Sequence, residues 1–377
     1  MKKHILLTND FFPKIGGIQS YLYEIYSRLD PRSFVVITSK YPGAEAFDKT
    51  QPYKIIRYPS KVLLPTKKLT DFVVKESKAF DSSLILIDPI FPLGLISKDL
   101  TKAGLDYGYI VHGAELTIYA RLFATKHLLK TISKNSKYVI AAGIYPFNEF
   151  KTLTENNSTA KVINIPPGVD IERFRPATKD QRLAAREKFG LNKDAFVVIS
   201  VSRLVKRKGM DALIRAADEL KLQIPELEVV ICGEGRDKKR LERINKRYGW
   251  PVKMIGKVSY NELPEIYQSG DVFVMACKNR WFDLEQEGFG IVFLEAAASG
   301  LPQIGGQSGG SSEAIDDENT GYLIRPNHQS VDIASKVNFL FNQPDIITKI
   351  SSQARIRTEN TFNYDKLSNQ FSLFLGE

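Results

Sequence analysis

Cysteine and long apolar runs are what this 377-residue sequence has least of. Two cysteines are present, Cys232 and Cys277. That is too few for a disulfide framework, their spacing fits no zinc motif, and a reducing compartment is the expectation. Lys2 and Lys3 ahead of Ile5-Leu6-Leu7 imitate a basic leader, but the apolar run is too short for a signal-peptide core. The most apolar later stretch, residues 82–97, is broken by Asp88, Pro89 and Pro92, well short of the ~18 apolar residues that cross a bilayer. A soluble chain is expected. A Walker A motif is missing, and the first glycine pair is not set in a G-x-G-x-x-G, so the commonest phosphate-loop and dinucleotide signatures are absent.

What is there is globular. Hydrophobic residues at 43% and charged residues at 25% exclude wholesale disorder and a coiled coil. The length allows two or three domains at roughly 100–200 residues each. The net charge of +10 is lopsided: residues 1–175 carry 25 Lys/Arg against 16 Asp/Glu, a net of +9, and the remainder 28 against 27, a net of +1. A basic first half suits nucleic acid, an anionic membrane or a phosphorylated substrate, or solubility alone.

Short apolar runs alternate with amphipathic segments. Residues 4–8, 34–38, 84–87, 107–111 and 138–142 predict buried strands, with helical patterns such as 20–29 between them. Such alternation implies a parallel sheet with helices on both faces. Pro166-Pro167-Gly168 interrupts the rhythm, which restarts with strands at 195–201, 228–232, 252–255 and 271–275 and helices at 210–222, 238–248 and 262–268. The fold class is α/β: two doubly wound Rossmann-like domains facing across a cleft, a natural place for a nucleotide-linked substrate. The expected divisions are 1–168, 169–355 and a helical tail at 356–377 that returns to the first domain.

Chemistry belongs at the carboxyl ends of these strands. Gly16 and Gly17 sit between the first strand and the helix after it, where backbone N–H groups can approach a phosphate or sugar, although an ordinary tight turn is the plainer explanation of a glycine pair. His112 follows the strand 107–111 and is a better ligand candidate than His4 within a strand, His127 on a charged helix or His328 in a polar loop. Arg203 and Lys208 lie in the turn after strand 195–201 and suit a diphosphate, Arg as a planar fork and Lys as a point charge. Backbone at Lys257 and Val258 is within the loop after strand 252–255 and can meet a base edge, although a plain βα loop also explains it. Glu287-Gly288-Phe289-Gly290-Ile291 leads into a helix carrying Glu295. Glu287 is expected at the loop mouth near a sugar, with Glu295 deeper, accepting bonds from two ribose hydroxyls.

Together these motifs resemble the retaining glycosyltransferases of family four, which have the GT-B fold. The likeness rests on E-x7-E at Glu287 and Glu295, R-x4-K at Arg203 and Lys208, PPGVD…RF from Pro166 to Phe174, and SGG from Ser308 to Gly310. Residues 8–22, the IRYP and VLLPT segments within 56–66, SRLVKRKG and EGFGIVFLEAAASG look like the branch that transfers mannose from GDP-mannose to phosphatidylinositol monomannosides. The resemblance implies Gly16 and Gly17 near the phosphates and His112 near the transferred sugar. It further implies Arg203 and Lys208 on the diphosphate, Glu287 on the hexose with Gly288, Phe289, Gly290 and Ile291 beside it, and Glu295 on the ribose. His112, Arg203, Lys208 and Glu287 are the expected catalytic residues.

No two aspartates stand two positions apart, so the metal-holding D-x-D is missing. Arg203 and Lys208 are expected to stabilise the departing diphosphate without a metal or other cofactor. The expected partners are a nucleotide-sugar donor, a glycolipid acceptor and an anionic membrane surface, with no nucleic acid. The expected place is the cytoplasm, peripherally on the inner face of the cell membrane. Lys126, Lys130, Lys134 and Lys137, with Ile118, Leu122, Leu129 and Ile132 on another face, predict either a cationic amphipathic helix for that surface or an ordinary helix packed on the first sheet with a solvated lysine face. The rival expectations are a family-four transferase using a UDP-sugar on a polysaccharide or soluble acceptor, a sugar-nucleotide epimerase or hydrolase, and a binding module.

Overall fold

A computed structural model of the chain describes residues 1–113, 115–116, 123–155, 158–280 and 285–376. The chain divides into two compact units, Met1–Pro167 joined by the segment from Tyr364 onward, and Gly168–Asn363.

Among the described residues the first unit is built on seven strands: β1 (His4–Thr8), β2 (Phe34–Ser39), β3 (Lys54–Tyr58), β4 (Leu84–Asp88), β5 (Asp106–Val111), β6 (Tyr138–Ala141) and β7 (Lys161–Asn164). All are parallel, in the order β3-β2-β1-β4-β5-β6-β7. β1, β2 and β4 are buried along their whole length, as a sheet covered on both faces requires. Strand order reverses between β1 and β4, and the register there sets Thr8 beside Asp88. In a doubly wound sheet this switch point opens the crevice that takes ligands.

The second unit repeats the plan with β8 (Phe196–Val201), β9 (Leu227–Cys232), β10 (Lys253–Gly256), β11 (Val272–Met275), β12 (Gln303–Gly306) and β13 (Gly321–Ile324). They are parallel in the order β10-β9-β8-β11-β12-β13, with the reversal between β8 and β11. The sequence reading passed over β3, β7, β12 and β13. β3 and β7 are half-exposed edge strands of mixed polarity, and β12 ends in two glycines, so none has the apolar run that marks a central strand.

The helix Pro344–Thr361 stays with the second unit. Its Arg355 guanidinium donates to the carbonyls of Phe174 at 2.7 Å and Ala298 at 2.6 Å. The return to the first unit therefore begins at Tyr364 rather than at 356. The helix Tyr364–Phe374 then packs on Gly17–Tyr26, with the Phe371 ring 5.5 Å from that of Tyr26 and Phe374 5.5 Å from Tyr138.

The same core encloses His4. Its Nδ1 meets the Lys2 carbonyl and its Nε2 the Tyr26 hydroxyl, both at 3.1 Å, between the rings of Phe34 and Phe371. Burial pushes this imidazole down to about 4 from an ordinary 6.5. The unfolded chain binds the extra proton first, so stability falls as pH drops below 6.5 and goes on falling towards 4. Each pH unit in that window is expected to remove roughly 1.4 kcal/mol. Denaturant unfolding of wild type and His4→Gln at pH 7 and 5 should show this slope in the wild type alone; equal slopes would refute it.

Candidate active site

The loop from β8 into the helix Met210–Leu220 carries Ser202-Arg203-Leu204-Val205-Lys206-Arg207-Lys208-Gly209. A short 3-10 turn at Lys206–Lys208 folds the last basic residues inward, and Gly209 closes it at φ 70°. A Cβ at Gly209 would lie 1.8 Å from the Ala276 carbonyl oxygen. Glycine is therefore required for this loop to sit against the end of β11.

Glu287 enters from the loop after β11 and is 6% exposed. Lys208 Nζ lies 2.8 Å from its carboxylate, and Arg207 donates to the same oxygen. Burial alone would raise this carboxyl, but Lys208 and Arg207 outweigh it and hold it below the ordinary carboxylate range. The SGG segment fixes the backbone here. Glu287 N–H donates to Ser308 Oγ at 3.0 Å, Gly310 N–H donates to the Glu287 carbonyl at 3.0 Å, and Ser308 Oγ donates to Asn279 Oδ1 at 2.6 Å. Glu287 is thus a buried ion-pair member rather than a residue at the loop mouth. The helix begins at Ile291, so Glu287 stands in the loop before it and Glu295 within it.

Glu295 lies on that helix, half-buried, and accepts a 2.6 Å hydrogen bond from the hydroxyl of fully buried Tyr267. Phe289 is buried, its ring 5.7 Å from that of Phe362, so the ring serves the core. Gly288 is exposed with open space where a Cβ would stand, whereas Gly290 caps the helix at φ 86°. Arg203 and Lys257 are exposed, and Val258 is partly buried.

In the first unit, Gly16 caps the helix Gly17–Tyr26, and Gly17 has open space around it. A Cβ at Gly16 would strike Gln19, whose amide donates to Asp10 at 2.5 Å. His112 stands just past β5 with 11% of its side chain exposed, its Nε2 2.7 Å from Oδ1 of Asp88. Asp88 is fully buried and takes a second hydrogen bond, 2.6 Å, from the Thr8 hydroxyl. The His112 backbone N–H donates to Glu115 at 2.5 Å, and the Tyr21 ring meets the imidazole edge-on. Burial would lower this imidazole, but Asp88, then Glu115 and Asp10, hold it above its ordinary value.

Sequence reasoning named His112, Lys208, Glu287 and Glu295 but missed Arg207, Asp88 and Tyr267, their partners. For Asp88 a signal existed: a carboxylate ending an apolar strand. For the lysine-bearing helix the described residues follow the packed alternative. Ile118 and Leu122 lie outside the described residues. Leu129 and Ile132, on the helix Phe123–Ser133, are buried in the first unit's core, and the Ile132 carbonyl accepts bonds from Tyr107 and Tyr109, each at 3.0 Å. Lys130 pairs with Glu155. These apolar side chains are spent on packing; Lys126, Lys134 and Lys137 remain exposed. Among the described residues no cluster of His, Cys, Asp and Glu is arranged to hold a metal.

Two Rossmann-like units, with a cationic loop and a buried carboxylate at the strand ends of the second, are suited to a nucleotide-linked substrate. Residues 181–357 match the family Glycosyl transferases group 1. The chain is 33% identical over 317 residues to a GDP-mannose-dependent monoacylated alpha-(1-6)-phosphatidylinositol monomannoside mannosyltransferase of Corynebacterium glutamicum, covering 83% of this chain and 82% of that protein. It is 31% identical over 385 residues to a GDP-mannose-dependent alpha-(1-6)-phosphatidylinositol monomannoside mannosyltransferase of Mycobacterium tuberculosis, covering 100% and 98%. Among solved structures, Anabaena HepE in complex with UDP shares the fold with a TM-score of 0.83 at 19% identity over 99% of each chain. This chain belongs to the glycosyl transferases group 1 family.

Removing the Glu287 carboxylate leaves Lys208 and Arg207 buried against each other without a counter-charge. Glu287→Ala is expected to cost about 3–5 kcal/mol at neutral pH. Because the folded carboxyl is lowered, the stabilisation is complete above the ordinary Glu value of about 4.3 and is lost as pH falls below it. Unfolding midpoints of the two proteins should therefore differ widely at pH 7 and converge in acid; equal midpoints at pH 7 would show the pair to be inert.

Proposed function

We propose that the protein transfers mannose from GDP-mannose to a phosphatidylinositol-mannoside glycolipid, with retention of anomeric configuration. The observation that carries this reading is the basic loop after β8, with Lys208 and Arg207 gathered on buried Glu287, in a chain 33% identical to an enzyme named for that reaction. Breaking the sugar–phosphate bond leaves negative charge on the diphosphate. Arg203 and Lys208, beside the N-terminus of the helix Met210–Leu220, meet that charge as it develops. In this reading they take the part that a metal plays in D-x-D transferases. The departing phosphate acts as base for same-face attack. Glu287 orients Lys208 and the hexose and forms no covalent intermediate, unlike the nucleophile of a retaining glycosidase.

Glu295, aligned by Tyr267, accepts the ribose hydroxyls, and backbone at Lys257 and Val258 meets the base. Open backbone at Gly17 and Gly288 lets phosphate and sugar approach closely, with Gly16, Gly290 and Ile291 shaping the two helix starts. His112 contacts the transferred sugar.

For a lipid-linked acceptor the protein works as a peripheral membrane enzyme. No helix among the described residues is long and apolar enough to cross a membrane. The support for surface contact is in the first unit, where Ile15, Val62 and Leu64 are 70%, 52% and 57% exposed beside exposed Lys61, Lys67 and Lys68. Apolar tips flanked by lysines suit an anionic bilayer, each lysine adding ~1 kcal/mol.

Incubation with GDP-mannose and a phosphatidylinositol monomannoside should give a dimannoside with the α configuration, insensitive to EDTA. Turnover of UDP-glucose or UDP-N-acetylglucosamine in its place would overturn the donor assignment. Glu295→Gln should weaken donor binding by ~1.5–3 kcal/mol in calorimetry, the worth of a charge-assisted hydrogen bond; an unchanged Kd would remove its ribose role. The protein should also co-sediment with vesicles containing anionic lipid, less so in high salt, and the Val62→Ser, Leu64→Ser double variant should bind less. Equal partition to neutral vesicles would favour a soluble acceptor.

A further inference from the structure

We propose that Asp88 is a positioning residue for sugar transfer, fixing the orientation and proton of His112 from the switch point of the first sheet. The inference rests on the glycosyl-transfer reading and adds a residue to it.

A carboxylate with no exposure to solvent is costly unless its oxygens are matched. Each Asp88 oxygen has a partner: Thr8 Oγ1 donates to Oδ2 at 2.6 Å, and His112 Nε2 lies 2.7 Å from Oδ1. Thr8 is itself held, because its hydroxyl oxygen accepts the Asp10 backbone N–H at 2.8 Å. The register of β1 on β4 brings these groups together, with Thr8 directly opposite Asp88. The chain Asp10–Thr8–Asp88–His112 thus runs across the carboxyl ends of β1, β4 and β5, where a doubly wound sheet takes its ligand. Tyr21 closes one side of the imidazole, its ring centroid 5.7 Å away and perpendicular.

The consequence is chemical. With Nε2–H donated to Asp88, a sugar hydroxyl is met by Nδ1. The charged groups facing the ring are Asp88, Glu115 and Asp10, the last paired with Lys14 at 2.6 Å. Against burial these carboxylates hold the imidazole above its ordinary value, which favours Nδ1–H as the donor to a hydroxyl oxygen. An Asp that orients a His and stabilises its cation recurs in unrelated enzymes, by geometry rather than by fold.

The test is Asp88→Asn, which keeps the shape and removes the charge. Expected are a fall in kcat of about 10- to 100-fold, the loss of one charge-assisted hydrogen bond, and a GDP-mannose Kd within twofold of wild type. The alkaline limb of the pH–rate profile should move about 1–3 units towards acid, the span an adjacent opposite charge commands. In a His112→Gln background, Asp88→Asn should have little further effect. Wild-type kcat with an unmoved limb, or full additivity with His112→Gln, would overturn the proposal. If Asp88→Asn does not fold, NMR titration of His112 in the wild-type protein decides: a value above 6.5 with Nε2 held protonated supports the pair, and an ordinary solvent-like titration refutes it. If the wild type transfers no sugar from GDP-mannose, the functional reading fails while this titration still reports on the pair.

Discussion

In each unit every strand runs in the same direction, so each sheet delivers its carboxyl ends and the loops that follow them to one edge. That constraint governs everything else in the molecule. It gathers residues distant in the chain, such as Thr8, Asp88 and His112, or Lys208, Glu287 and Ser308, into hydrogen-bonding range. It also explains why both candidate clusters lie where strand order reverses, since adjacent loops diverge there and leave room for a ligand.

Both reversals hold a buried carboxylate, and the two are balanced differently. Glu287 is neutralised by two cations, and its carboxyl is lowered despite burial. Asp88 has a hydroxyl and an imidazole as partners, and its effect is seen in the imidazole, which is raised despite burial. His4, a few residues along the same first strand from Thr8, has no such neighbour and is pushed the other way by burial. The same side chain is thus pushed down in the core at one end of β1 and up past the end of β5. The difference lies in the carboxylate each does or does not face.

The family assignment and the geometry support each other at different levels. Near-full-length identity of 31–33% to named mannosyltransferases establishes descent, and the 0.83 TM-score to HepE at 19% identity establishes the architecture. Neither says how a given side chain is held. That comes from contacts: Tyr267 on Glu295, Arg207 beside Lys208, and the SGG turn under Glu287.

The sequence by itself determined the α/β class, the break at Pro166-Pro167-Gly168 and the central strands, because a strand buried on both faces must be an unbroken apolar run. It also pointed to the motif residues Arg203, Lys208, Glu287 and Glu295 as candidates, whose types and order are local properties of the chain. Edge strands such as β3 and β7 escaped it, since a half-exposed strand carries no such run. The apolar face of the helix Phe123–Ser133 could be read from periodicity, but not what it buries against: Leu129 and Ile132 turn to the core, where periodicity left membrane and core equally open. Only the tertiary structure decided that Glu287 is buried between Lys208 and Arg207 and that Asp88 belongs to His112. Those pairings span 79 and 24 residues. They are set by the register of parallel strands and by close backbone approach at glycines such as Gly209 and Gly310, which no local pattern records.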